Sequence, residues 1–155
     1  MCYILFEFSE FGKSNKNNKK IRNFMFDRVI RFSGNDMPPF IDQFDLTYKV
    51  LFIPESPNYP GVDFLIWDSE NKELSGFQIT IGGIKNHRKS VDSFLAGNLK
   101  EKWKNLCKIN EDKFFFVWVI PDNAVEEITN DGYDNLYIPF SNIRFQFPAL
   151  TPLAE

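Results

Sequence analysis

"PGVDFLIWDSENKELSGFQIT", residues 60–80, holds two apolar runs joined by a charged turn, and its reading decides the fold. "VDFLIW" and the following "LSGFQITI" have the branched and aromatic content of strands, and "DSENKE" between them suits a hairpin turn. Side chains alternate across a strand, so Phe77, Ile79 and Ile81 take one face while Gln78 and Thr80 take the other. With the turn near Glu70 and Asn71, Asp63 falls opposite Gln78 or Phe77, where facing Cβ atoms lie roughly 4.5–5.5 Å apart. Asp63 and Gln78 can then touch one shared ligand. A carboxylate, an amide oxygen and a nearby main-chain carbonyl are hard donors of the kind that hold Mg²⁺. The alternative is that Asp63 caps a strand entrance after the tight "YPG" turn while Gln78 and Thr80 face solvent, as polar residues do in half-exposed sheets.

Outward from this hairpin, "FDLTYKVLFIP" reads as a strand ended by Pro54, and "ESPNYPG" as an irregular loop into the hairpin. "CYILFEF" has strand composition. "IRNFMFDRVIRF" places Ile21, Phe24, Met25 and Val29 at helical spacing and is expected to form a helix, although its branched and aromatic content also suits a strand. Downstream, Val91, Leu95, Leu99, Trp103 and Leu106 recur at helical spacing with charges between them, which predicts one long amphipathic helix with Trp103 in the core. "KFFFVWVIP" reads as a central buried strand, followed by a short helix near "NAVEEI" and the strands "NLYIPF" and "IRFQF". Strands, a crossover helix and a further strand predict an α/β or α+β fold in a single domain spanning residues 1–155.

The net charge of −3 conceals a polarity. Residues 13–22 carry five bases and no acid, including Lys19 and Lys20, while residues 111–155 carry eight acids against Lys113 and Arg144. The basic stretch, with a flexible loop at about 12–20, suits contact with a polyanion or simple solvation. Cys2, Cys107 and the single His87 cannot make a thiol–imidazole metal cluster, and the low cysteine count points to a reducing intracellular compartment. No run approaches the roughly 18 apolar residues of a membrane span, and Glu7 and Glu10 interrupt any signal core, so the nucleus or cytoplasm is expected. "GKS" at 12–14 lacks the upstream glycine of a phosphate loop.

The run from "FIPESPNYPGVD" through "FQITIGGIKNHRKSVDSFL" to "FFFVWVIP", about residues 44–121, resembles the nuclease-like domain of Crinkler effectors and retrotransposon hot spot proteins, within the PD-(D/E)xK restriction endonuclease-like superfamily. The resemblance implies a mixed central sheet flanked by helices, and Mg²⁺-dependent hydrolysis of nucleic-acid phosphodiesters, DNA above all. It matches Asp63 to the first motif acid, Gln78 to the acid-or-glutamine position, Thr80 to the position normally held by lysine, and His87 to a histidine often found after that strand. Asp63 and Gln78 would hold the metal. The missing ammonium would have to come from Lys85, His87 or Lys89, and Lys85, Arg88 and Lys89 at a helix entrance would meet phosphate or solvent. Trp67, on the strand face of Asp63, walls the site or packs in the core. The departure at Thr80 leaves a second implication open, a degenerate nuclease fold that binds DNA or a protein partner without cutting.

Overall fold

The segment Glu73–Ile79 pairs with a strand on each side, antiparallel on one and parallel on the other. The computed structural model describes residues 5–10, 20–24, 26–39, 43–124, 136–142 and 145–146, the first, second and last of these segments as backbone only. Six strands form one mixed sheet: β3 (Arg28–Phe32), β4 (Val50–Pro54), β5 (Phe64–Asp68), β6 (Glu73–Ile79), β7 (Phe114–Ile120) and β8 (Leu136–Pro139), in that order. β4, β5 and β6 are an antiparallel meander, while β3 runs parallel to β4, and β7 and β8 run parallel to β6. The return from β6 to β7 passes through α1 (Lys85–Ala96) and α2 (Asn98–Cys107). β1 (Leu5–Glu10), β2 (Lys20–Phe24) and β9 (Phe145–Gln146) form a second, antiparallel sheet, with β1 running beside β8. The fold is thus of the expected α/β or α+β class.

Alternation sorts the strand residues into two cores. Val50, Phe52, Leu65, Trp67, Leu74 and Phe114 face the helices, where Phe94, Trp103 and Cys107 close over them. Leu51, Ile66, Phe77, Val117, Val119 and Ile138 fill the opposite face with Phe26. Trp103 is fully buried and donates its indole N–H to the hydroxyl of Tyr59 at 2.9 Å, so a loop residue and α2 share one polar contact inside the core. Burial pushes the Tyr59 phenol and the Cys107 thiol up to about 12. Trp67 is core as well, its N–H satisfied by the carbonyl of Leu46, and it takes no part in an open site.

Two expectations are corrected. The segment expected to be a helix holds two strands among the described residues: β2 pairs with β1 and β3 with β4, so partner strands outweigh a helical spacing in a segment rich in β-branched and aromatic residues. The predicted long helix is broken at Gly97, whose extended backbone ends α1 and starts α2. A Cβ at Gly97 would lie 2.5 Å from the Ser93 carbonyl, so the close turn demands glycine. The basic loop at 12–20 up to Lys19 and most of "NAVEEI" lie outside the described residues; the start of the latter belongs to a 3₁₀ turn at Asp122–Ala124.

Candidate functional site

The hairpin register pairs Phe64 with Phe77 and Asp68 with Glu73, which puts Asp63 opposite Gln78 one step beyond the end of β5. The Asp63 N–H donates to the Phe77 carbonyl at 2.7 Å, the last main-chain rung. Beyond it the side chain continues the ladder: Asp63 Oδ2 accepts the Ile79 N–H at 2.6 Å and the Gln78 Nε2–H at 2.8 Å. Gln78 Nε2 also donates to the Ile79 carbonyl at 3.2 Å. One amide nitrogen therefore sits between a carboxylate oxygen and a carbonyl oxygen.

Gln78 and Thr80 do not face solvent. They lie on the helix-covered face of the sheet and are 6% and 1% exposed, while Ile79 and Ile81, on the other face, are 41% and 85% exposed. The alternation read from the sequence holds, but the polar side of this strand end is the covered one. The Thr80 hydroxyl donates to the Gly83 carbonyl at 3.0 Å, which folds residues 81–83 back towards α1. In the parallel register Gln78 is level with Trp118 of β7, and Trp118 with Tyr137 of β8, so these three side chains form a row across the parallel strands. The buried Trp118 indole N–H has no acceptor among the described residues, and the Arg88 guanidinium carbon lies 5.8 Å from its ring centroid.

The loop before Asp63 is pinned to α1. Gly61, at φ 73°, donates its N–H to Ser90 Oγ at 2.9 Å, and a Cβ at this position would lie 2.3 Å from Phe94 Cβ. Only glycine tolerates both the left-handed backbone and the contact. α1 advances about 100° per residue, so His87, Val91 and Phe94 share the face that meets this loop and the sheet. His87 is half-buried there, and its charge acts on Asp63. Partial burial raises the Asp63 carboxyl above the ordinary carboxylate range, with the Ile79 hydrogen bond and His87 pulling the other way. The Asp63 residue as a whole is nevertheless exposed; its outer edge is open while Oδ2 is turned inward.

Asp63, Gln78 and His87 are thus brought to one corner. Lys85 and Lys89 are carried about half a turn round α1 from His87, where with Arg88, Asp92, Ser93 and Ala96 they form an open surface groove. The first turn of α1 contains no acid and no side-chain cap, so Lys85, Arg88 and Lys89 add to the positive end of the helix. Lys20 begins β2, away in the smaller sheet. Ser90, Gly61 and the Ile79 peptide were not signalled as site residues by the sequence; only the "PG" at 60–61 marked a turn there.

As a metal site the donor set has the right chemistry: the Asp63 carboxylate, the Ile79 carbonyl and the Gln78 amide are hard oxygen donors suited to a hydrated Mg²⁺. Among the described residues no three His, Cys, Asp or Glu side chains converge, so the set carries one formal charge. In the hydrogen bonding present, the amide offers its nitrogen to Asp63 rather than its oxygen. Among the described residues no helix is long and apolar enough to cross a membrane. No protein-family model, no curated protein and no solved structure matches the chain.

Proposed function

We propose that this chain is a nuclease-fold domain of the PD-(D/E)xK type, related to the Crinkler and retrotransposon hot spot domains, that acts on nucleic-acid phosphodiesters with Mg²⁺. The observation that carries this reading is the hydrogen-bonded pair of Asp63 and Gln78 with His87 beside it, at the end of an antiparallel meander that crosses through helices to a parallel strand. Asp63 is the anchoring ligand, with the Ile79 carbonyl and the Gln78 amide oxygen as neutral partners. A divalent ion bound there supplies Lewis-acid chemistry to the phosphodiester. With Thr80 at the lysine position, His87 is the group assigned to accept or return the proton of the attacking water. Lys85, Arg88 and Lys89 hold the backbone of the substrate through its phosphates, DNA being the favoured polymer.

Cleavage of supercoiled, linear and single-stranded DNA and of RNA tests this, with purified wild type and Asp63→Ala in Mg²⁺, Mn²⁺ or chelator. The expected result is metal-dependent cutting that disappears in the variant. Folded wild type that cuts none of these with either metal overturns catalysis.

One observation favours a second reading, in which the fold binds nucleic acid or a protein partner without cutting: the Thr80 hydroxyl is buried and committed to the Gly83 carbonyl, so the lysine position now serves local structure. That reading expects salt-sensitive nucleic-acid affinity, or protein binding, that persists in chelator.

A further inference from the structure

We propose that the Gln78 amide nitrogen is a plug: it occupies the place of the cation at Asp63, so a metal ion enters only by displacing it. This rests on the nuclease reading above and concerns how its metal site is controlled. Nε2 has two hydrogens, and both are used at this corner, one towards Asp63 Oδ2 at 2.8 Å and one towards the Ile79 carbonyl at 3.2 Å. These two oxygens are the hard donors a divalent ion would take, and the amide satisfies them with its partial positive charge. The Ile79 N–H is the second donor to the same carboxylate oxygen, at 2.6 Å. Oδ2 thus has two protein donors and needs no ion to compensate its burial.

The side chain cannot swing away freely. Gln78 is 6% exposed, beneath the helices and level with Trp118, so displacing its amide breaks two hydrogen bonds in a covered place. Breaking hydrogen bonds to a charged group costs more than breaking neutral ones. What the ion gains in return is small: an amide oxygen replaces one water, and Mg²⁺ keeps several waters readily. Removing the N–H groups therefore helps the metal more than losing the amide oxygen harms it. A simple ligand role for Gln78 makes the opposite prediction.

Mn²⁺ alone is the probe, its free concentration followed by electron paramagnetic resonance during titration of the full chain, with folding checked by circular dichroism. Gln78→Met keeps the volume under the helices and removes both donors. It is expected to bind Mn²⁺ at least about threefold more tightly than wild type, and to lose that binding when Asp63→Asn is added. Gln78→Glu, which also removes the donors and adds a charged ligand, is expected to bind at least about tenfold more tightly. Affinity in Gln78→Met equal to or below wild type, with tight binding in Gln78→Glu, overturns the plug and leaves the metal reading standing. Absence of Mn²⁺ binding in both folded variants overturns the two together.

Discussion

Where the chain enters the helical crossover, the sheet meets one carboxylate, Asp63, held by the neutral donors of Gln78 and Ile79. Where it leaves, Glu111 bridges Lys100 and Lys104, and Lys104 also reaches Glu101 at 3.0 Å. Both lysines are largely covered, and the Lys100 ammonium lies 5.2 Å from the Phe114 ring centroid. The second cluster compensates its own charges: the two ammonium groups hold the Glu111 carboxyl below its usual range, and Glu111 and Glu101 raise Lys104. The first leaves its carboxylate raised and short of cationic partners. Polar groups that settle their charge with opposite charges are structural, whereas the Asp63 carboxylate is held by neutral N–H donors and keeps an exposed outer edge.

Substitutions can break this contrast. The largest effect is expected from Gly61→Ala, which forces a left-handed backbone on alanine and drives its Cβ into Phe94. A loss of about 3 kcal/mol in urea unfolding is expected, and the Asp63 corner loses its seat on α1 with it. Ser90→Ala removes the acceptor of the Gly61 N–H, and costs about 1 kcal/mol in the same measurement.

Next comes a crossed pair. Asp63→Asn is expected to change stability by less than about 1 kcal/mol while abolishing the proposed metal-dependent cleavage. Glu111→Gln is expected to lower Tm by about 2 °C, in a salt-sensitive way, and to leave cleavage untouched. If Asp63→Asn destabilises the protein and spares cleavage, the Asp63 corner is a structural cap and the contrast fails.

The smallest effect is in pH dependence, and its sign differs between the clusters. Glu111 has a folded pKa below its ordinary 4.5, so its contribution is present above 4.5 and is lost as pH falls through the lower folded value. Asp63 has a folded pKa above its ordinary 3.8, so the folded state holds its proton more tightly and stability from this group declines as pH rises past 3.8. Thermal melts of Asp63→Asn and Glu111→Gln against wild type across this acid range should diverge from it in opposite directions.

The pairing of Asp63 with Gln78 was legible because a four-residue turn at Ser69–Lys72 fixes the register of the hairpin, and β7 because an unbroken apolar run suits a strand packed on both faces. Alternation identified two faces of β6 but not which was covered. That depends on where α1 and α2 dock, and so Gln78 and Thr80 turned out to be buried while Ile79 and Ile81 were left open. The direction of the Gln78 amide depends on three neighbouring polar groups that only the assembled corner supplies. Residues 21–32 misled because Ile21, Phe24, Met25 and Val29 satisfy a helical period that strand pairing overrides. Gly97 was visible as a residue, but a glycine within a helical pattern does not announce a full break.

The six-stranded sheet reads β3 to β8 in the same order as the chain, and this has a consequence for how the protein is made. No strand has to be inserted between two that are already joined. During vectorial synthesis each new strand adds to the edge left by the one before, so the sheet always grows at its most recent strand. Asp63 and Gln78 emerge within a single hairpin, ahead of the helices that will cover them, while His87 follows with α1. The acidic half of the corner is therefore translated as a local unit, and its basic half and its roof arrive later.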